Sequence, residues 1–548
     1  MNSSLNVYDV LVVGGGATGS GVLLDAASRG LKAALVESDD IGSKTSSASS
    51  KLIHGGLRYL ERGEVRLVAE SLRERAILQK TASHLVKPLG FVIPVHSQSR
   101  LRGTSKLFGL SATLWGYDLA GSIRSSKAHK RLSVEETLKL LPTLQSQNLV
   151  GSLLYHDAFA DDSRLCLNIC ITAQKHFGAD IFTHTKVDGF TSPGASGYAE
   201  INCQPDASVG DGNPFTLRSR VVVLAGGLAN GVLSELTRPD SGVGIVPAKG
   251  VHLAVHSSKL PLNSAGAIDV GDGRRIFVVP WGEYSYFGTT DTPYLGPVGA
   301  PDIDASDVNY LLSAINARFT TKLSEADITG GWSGLRPLLK PDQDASDTTE
   351  LSRKYEILTP TPWAIVVAGC KLTTYRAMAQ SAVDLVCEKL DHQRNSMTSR
   401  INLVGSYPVS DRANIATRVK SYLPNHLSAD AGSPVAEHLI DRYGSQAVSV
   451  IKTMGQDLRA YEALAGGDLA GEFEYQIKHE LATSINDLLM RRSRIGILDY
   501  SKAEQELDAA ADAISNYTEL SASQVETQRA QFLSSIARLR ANRSNATN

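Results

Sequence analysis

Apolar and polar positions along this chain follow two rhythms, and the balance between them changes near residue 400. Tyr8-Asp9-Val10-Leu11-Val12-Val13 is a short, valine-rich run of the kind that forms a buried strand. Gly14-Gly15-Gly16-Ala17-Thr18-Gly19 follows, then a helical stretch to about Arg29 stopped by Gly30, then a second strand from Lys32 to Glu37. Glu64 to Lys80 has apolar residues at three- and four-residue spacing and no Gly or Pro, which predicts a helix. Strand-like runs recur at Ala179–Thr185, Ala199–Asn202, Arg220–Leu224, Val251–Val255 and Ile276–Pro280, and Phe91 to Val150 reads as irregular. After about Leu403 helical periodicity dominates, as in His479–Met490 and Glu504–Tyr517, so a boundary near 392–402 is expected before an α-helical region.

The chain has 548 residues, enough for about three or four domains or one large unit with additions. Hydrophobic residues are 42% and charged residues 20%, values of a globular protein rather than a disordered one. A net charge of −2 gives no global pull toward nucleic acid. The five cysteines form no Cys-x-x-Cys pair and no zinc spacing, and their odd number fits a reducing compartment. Met1–Asn6 lacks a basic n-region, and no run reaches the roughly 18 apolar residues of a membrane span. Neither secretion nor spanning is expected; a place on a membrane surface stays open.

Gly14-x-Gly16-x-x-Gly19, set between a strand and a helix, supplies a tight turn, close backbone approach and close helix packing. A pyrophosphate would rest on the helix N-terminus. Glu37, 18 residues after Gly19, can accept ribose hydroxyls and would repel a 2′-phosphate, which favours FAD or NAD over NADP.

A second signature, Thr45-Ser46-Ser47-Ala48-Ser49-Ser50-Lys51-Leu52-Ile53-His54-Gly55-Gly56-Leu57-Arg58-Tyr59-Leu60-Glu61, collects hydroxyls, small residues, a histidine and two cations before a helix. Composition alone would read it as a Ser-rich linker. The run closely resembles the FAD-dependent glycerol-3-phosphate dehydrogenase family. So do Phe277-Val278-Val279-Pro280-Trp281, Gly288-Thr289-Thr290-Asp291, Trp332 to Leu338, Gly369 to Arg376, Tyr475 to Glu480 and Leu488 to Gly496. The resemblance spans about residues 8–500. The chain departs from the family pattern at two single positions and one stretch: Cys370 for a second glycine, Val251 for a serine, and Leu224-Ala225-Gly226-Gly227-Leu228 for Ala-Thr-Gly-Pro-Trp.

The resemblance implies a flavoprotein that oxidises sn-glycerol 3-phosphate to dihydroxyacetone phosphate and passes electrons through FAD to a quinone. It implies an α/β, Rossmann-like FAD-binding domain assembled from separated segments (about 7–95, 150–245 and 335–392). The substrate domain, with an antiparallel sheet, would take about 96–149 and 246–334; residues 401–548 would form an α-helical C-terminal domain. An oxidase using oxygen and a non-catalytic flavoprotein module are the alternatives.

Oxidation at C2 needs a base for the hydroxyl proton, cations for the phosphate, and a stabiliser for reduced flavin. Arg58 and Arg336, each close to a glycine, are the candidates for the phosphate, with Tyr59 adding a hydroxyl. Lys371 precedes a helix predicted to about Glu388 and suits negative charge on flavin or substrate, while Thr373 or Thr374 could cap that helix. His252 is the candidate base, its imidazole having an ordinary pKa of about 6.5. Its competing reading is a structural histidine. His54 is the second candidate, in a loop expected to face the flavin. Gly14, Gly16, Gly19, Glu37, Ser46, Ser49 and Lys51 are candidate FAD contacts, as are Ala225, Gly226, Gly369, Leu372 and Thr373. His479-Glu480 reads as ordinary helix surface, and Arg491-Arg492-x-Arg494 as a solvated or ion-paired face. No metal is expected.

Between Arg100 and Arg131 seven Lys/Arg (Arg100, Arg102, Lys106, Arg124, Lys127, Lys130, Arg131) face one acid, Asp118, among Phe108, Leu110, Leu114, Trp115, Tyr117 and Leu119. Cations with aromatics suit an anionic lipid surface, so a peripheral place on the inner face of the cytoplasmic membrane is one expectation for an otherwise cytoplasmic protein. A solvated basic loop is the other. A homodimer is left open, and nucleic acid is not expected as a partner.

Overall fold

The computed structural model describes residues 7–544 apart from 62, 121–127, 240–242, 272–273, 298, 300, 340–354, 370, 425–426 and 428–432. The side chains of 58, 61, 120 and 541–544 also lie outside the description. Cys370, Arg124, Lys127 and the side chain of Arg58 therefore carry no structural account.

The valine run forms strand β1 (Val7–Val13), the glycine turn leads into helix α1 (Ala17–Ser28), and Ala33–Val36 forms β2. β1 lies parallel between β2 and the strand Phe215–Leu224, which pairs parallel with Ala364–Ala368. These strands are nearly continuous apolar runs because both faces are buried, one by helices and the other mainly by the strands Thr185–Thr191 and Ala199–Pro205 and the helix Asn230–Thr237. On one face, α1 packs against the helices Asp162–Phe177 and Tyr375–Leu390. Eight described strands make this sheet, including the antiparallel additions Glu356–Thr361, Thr185–Thr191 and Ala199–Pro205.

A second sheet of ten described strands is mostly antiparallel. Its centre is Ile245–His256, paired with Ile328–Leu339 on one side and Tyr284–Gly288 on the other. The strands Val86–His96 and Leu149–Ala160 also belong to it, so these stretches sit with the antiparallel layer. Beyond Arg412 the chain is a set of helices ending with Ala522–Ser544.

Two expectations are corrected. Phe91–Val150 is not irregular: it completes the strand Val86–His96 and then forms a long helix, Arg100–Ala120. Gly103, Leu107, Leu114 and Tyr117 turn inward, but Leu101, Phe108, Trp115 and Leu119 turn outward at 85%, 77%, 57% and 69% exposure. Apolar residues on both faces hide the helical period. His479–Met490 is not one helix either. The helix Glu472–His479 ends, Leu481 takes a left-handed φ of 59°, and a π-helical turn, Asp487–Arg492, begins. The Asp487 carboxylate accepts the N–H groups of Thr483 and Ser484, capping a new start where continuation would otherwise occur.

Candidate active site

The turn between β1 and α1 is built so that only glycine fits. A Cβ at Gly14, whose φ is +111°, would lie 2.6 Å from the Ala225 carbonyl oxygen, and one at Gly19 would lie 1.8 Å from that of Gly14. A Cβ at Gly16 would lie 2.9 Å from Ser46 Oγ, which instead accepts the Ala17 N–H at 2.9 Å. The helix start has no acidic residue in its first turn, so its positive end is left for an anion. Glu37 Oε2 accepts the Gly15 N–H at 2.6 Å, and Oε1 accepts from Ser38 and Asp39. Three of about four lone-pair sites are thus taken, leaving one for a ribose hydroxyl. Ala225 extends the layer by donating its N–H to Val13, and Gly226 is tied to Asn230. Gly369, with φ +93°, closes the strand Ala364–Ala368 beside them. The bare turn, the open helix end and the carboxylate together fit the adenosine diphosphate half of FAD.

A cavity of about 720 Å³ opens beside this cradle. Ala17 and Thr18 from α1 line it, as do Ser46, Ser49 and His54 from the Ser-rich run. Tyr59, His252 and Arg336 line it from the substrate side, and Lys371, Leu372 and Thr373 close it. Thr373 Oγ1 lies 3.2 Å from both the N and the O of His54, lacing the two loops together. Neither Thr373 nor Thr374 caps the following helix: Thr374 Oγ1 turns to the Lys371 carbonyl at 3.5 Å. Lys371 Nζ donates to Ser71 at 2.5 Å and sits 4.6 Å from the centre of the Tyr59 ring.

Arg336 stands on the strand Ile328–Leu339 and holds Asp291 at 3.0 Å and Thr289 at 3.2 Å. Gly250, on the neighbouring strand two residues past Arg336's partner Ala248, leaves room for it, since a Cβ there would lie 2.6 Å from the guanidinium. Arg274 and Arg275 also line the cavity and are absent from the candidates above. A signal was present: two adjacent arginines directly after a glycine-bearing turn and before a strand. Asp157, another lining residue, gave none. Burial pushes its carboxyl up against the pull of Arg75, which pairs with it, while Tyr117 donates to it at 2.8 Å.

His252 is 2% exposed and reaches the cavity from the centre of the second sheet. Its ring stacks on Trp332 at 5.0 Å between centroids and 13° between planes, and Nε2 lies 2.9 Å from Ser50 Oγ. Burial, then Lys51 and Arg336, hold its pKa well below 6.5, so the ring is neutral at neutral pH.

Lys51, expected among the FAD contacts, does not line the cavity. It is fully buried behind the wall, with Nζ 3.2 Å from both Asp162 oxygens, 3.0 Å from the Ser47 carbonyl and 4.3 Å from the centre of the Trp332 ring. Burial and Arg494 bring its pKa down to about 7 against the pull of Asp162. Ser49 does line the cavity, but its hydroxyl donates to Asp162 at 2.7 Å.

The helical region supplies the rest of this buried charge. Arg494 donates to Asp162 at 2.9 Å and to Ser47 at 3.0 Å, and Arg491 and Arg492 both hold Asp40. The arginine run is thus an internal ion-paired layer, with no solvated face. Glu480 is likewise no ordinary surface residue: it is 4% exposed and accepts from Arg164 at 2.6 Å.

Residues 9–380 match the family model described as FAD dependent oxidoreductase, and residues 396–525 match that of the C-terminal domain of alpha-glycerophosphate oxidase. The chain is 35% identical over 496 residues to glycerol-3-phosphate dehydrogenase 2 of Mycobacterium tuberculosis, covering 89% of this chain and 81% of that one. It is 33% identical over 525 residues to the aerobic glycerol-3-phosphate dehydrogenase of Staphylococcus epidermidis, covering 93% and 92%. The structure of the glycerol-3-phosphate dehydrogenase of Bacillus halodurans complexed with FAD aligns with a TM-score of 0.79 at 26% identity, covering 98% of this chain and 96% of that one.

Proposed function

Since the chain belongs to the FAD-dependent glycerol-3-phosphate dehydrogenase family, we propose that it oxidises sn-glycerol 3-phosphate at C2 to dihydroxyacetone phosphate and delivers the electrons to a quinone. FAD is its cofactor. The observation that carries the reading is the meeting of Arg336, Lys371 and His252 on one cavity beside the glycine-built cradle.

FAD, when bound, supplies the two-electron acceptor for the hydrogen on C2. The chain does the remainder. Arg336 offers a fork to a phosphate dianion, and a second from Arg58 is part of the proposal on the strength of the motif it belongs to. Lys371 brings positive charge to the same space. His252, kept neutral, takes the C2 hydroxyl proton at Nε2. The buried layer of Lys51, Asp162 and Arg494 keeps the wall behind His252 rigid.

Quinone as acceptor is supported by the basic helix Arg100–Ala120. It presents Leu101, Phe108, Trp115 and Leu119 outward with Arg100, Arg102 and Lys106 exposed beside them. Such a face fits an anionic lipid surface, where quinones are dissolved. Among the described residues no helix is long and apolar enough to cross a membrane, and the contact proposed is peripheral.

The test is an anaerobic titration of the purified flavoprotein. Glycerol 3-phosphate should bleach the oxidised flavin band and glycerol should not. Reoxidation by a soluble quinone analogue faster than by dissolved oxygen supports the dehydrogenase. Rapid reoxidation by oxygen with peroxide release would instead make the protein an oxidase.

A further inference from the structure

Ser50 is held on every side except its hydroxyl. Its own carbonyl accepts from Tyr286 Oη at 2.8 Å. The preceding carbonyl, of Ser49, accepts from Trp332 Nε1 at 3.0 Å. The following residue, Lys51, is locked by its buried ammonium and sits at a left-handed φ of 58°, which a non-glycine residue adopts at a cost. The Lys51 N–H is taken by Ser49 Oγ at 2.9 Å. What this frame presents is one hydroxyl, on the cavity wall and 2.9 Å from His252 Nε2.

His252 offers no second route. Its Nδ1 is buried without a hydrogen-bond partner, and one face of the ring is stacked on Trp332. A proton arriving from the cavity meets Nε2, and Nε2 is occupied by Ser50. We infer that Ser50 is a catalytic residue of this site: its Oγ accepts the proton of the substrate C2 hydroxyl while its own proton passes to His252 Nε2. This rests on the reading of His252 as the base. The balance is complete: C2–H leaves with its electron pair to FAD, the C2–O bond becomes a carbonyl, the C2 hydroxyl proton ends on Ser50 Oγ, and the proton Ser50 gave up ends on His252 Nε2. Burial first, and then Lys51 and Arg336, keep the imidazole unprotonated before substrate binds. A substrate phosphate bound at Arg336 then offsets part of that repulsion.

The experiment is stopped-flow reduction of the FAD-loaded protein by glycerol 3-phosphate in Ser50→Ala, Ser50→Thr and His252→Asn. Flavin content and thermal unfolding are followed in each. Ser50→Ala should slow flavin reduction by about 10²–10⁴-fold, the range of general-base effects, and Ser50→Thr should recover most of it. Inorganic phosphate should bind Ser50→Ala as it binds the parent protein. The proton inventory in H₂O/D₂O mixtures should be curved in the parent, where two protons move, and linear in Ser50→Ala. A Ser50→Ala rate within about threefold of the parent, with His252→Asn strongly impaired, would overturn the relay and leave His252 as a direct base. A full rate in His252→Asn would overturn the base reading, and the relay with it. If Ser50→Ala loses FAD, Ser50→Gly, which also removes the hydroxyl, carries the same comparison.

Discussion

Arg492 and Asp40, 452 positions apart, share a fully buried, two-pronged ion pair, with Nη1 2.6 Å from Oδ2 and Nη2 2.9 Å from Oδ1. Asp40 lies three residues beyond Glu37 and two before Gly42, whose N–H is held by the Gly15 carbonyl. Arg491 joins from the same π-helical turn, with Nε 2.6 Å from Asp40 Oδ2. The helical region therefore grips the loop that follows Glu37, the carboxylate proposed to hold the ribose. Arg492→Met leaves a buried carboxylate with one cation fewer and should cost about 3–5 kcal/mol. FAD should dissociate faster as well. Calorimetry and flavin release check both; an unchanged melting temperature and FAD affinity would show that the pair does not support the loop.

Gly19→Ala puts a methyl 1.8 Å from the Gly14 carbonyl oxygen, a backbone atom that cannot swing aside. The protein should be recovered without flavin, and added FAD should not restore its visible spectrum. A yellow, active Gly19→Ala protein would contradict the geometry of the turn.

Arg336→Lys keeps the charge but loses the fork that spans Asp291, Thr289 and the cavity. Loss of one charged hydrogen bond is worth about 1.5–3 kcal/mol, roughly 10–100-fold in kcat/KM for glycerol 3-phosphate. The loss should be carried mainly by KM. Steady-state kinetics against glycerol 3-phosphate, with flavin content and thermal unfolding followed alongside, separate a phosphate contact from general damage, which would lower flavin content or stability as well.

Two buried groups make stability fall as pH rises. Burial pushes the Glu506 carboxyl up to about 7. Its raised folded value means the stabilising neutral form is fully present below its usual 4.5 and is lost through pH 7. His184 is lowered by burial but raised more by Asp487, to about 9, so its contribution is present below about 6.5 and is lost as pH rises through 9. Glu506→Gln should stabilise the protein at pH 8, by on the order of 2–3 kcal/mol, and change little at pH 4. Denaturant titrations at the two pH values decide it; equal effects at both would rule out titration of Glu506.

Replacing Leu101, Phe108, Trp115 and Leu119 together by serine should leave turnover with a soluble quinone unchanged. It should abolish sedimentation with anionic phospholipid vesicles, because each side chain projects away from the core. Undiminished binding would move the lipid contact elsewhere.

The sequence by itself determined the parts whose cause is local. β1, the glycine turn, α1 and β2 were legible because a buried parallel strand is an apolar run, and because glycine spacing records where the backbone must come close. Glu37, Arg336, Lys371 and His252 were visible as chemistry carried by motifs. Tertiary structure decided what each buried charge would meet. Nothing near Lys51 in sequence says that it will be buried against Asp162, nor that Arg491 and Arg492 will close on Asp40. The partner of a desolvated charge is chosen by packing across hundreds of residues, while residue periodicity records only which face is buried. The same reason hid the helix Arg100–Ala120, whose second apolar face breaks the period. It also hid Ser50, one serine among several until the folded frame leaves its hydroxyl alone facing His252.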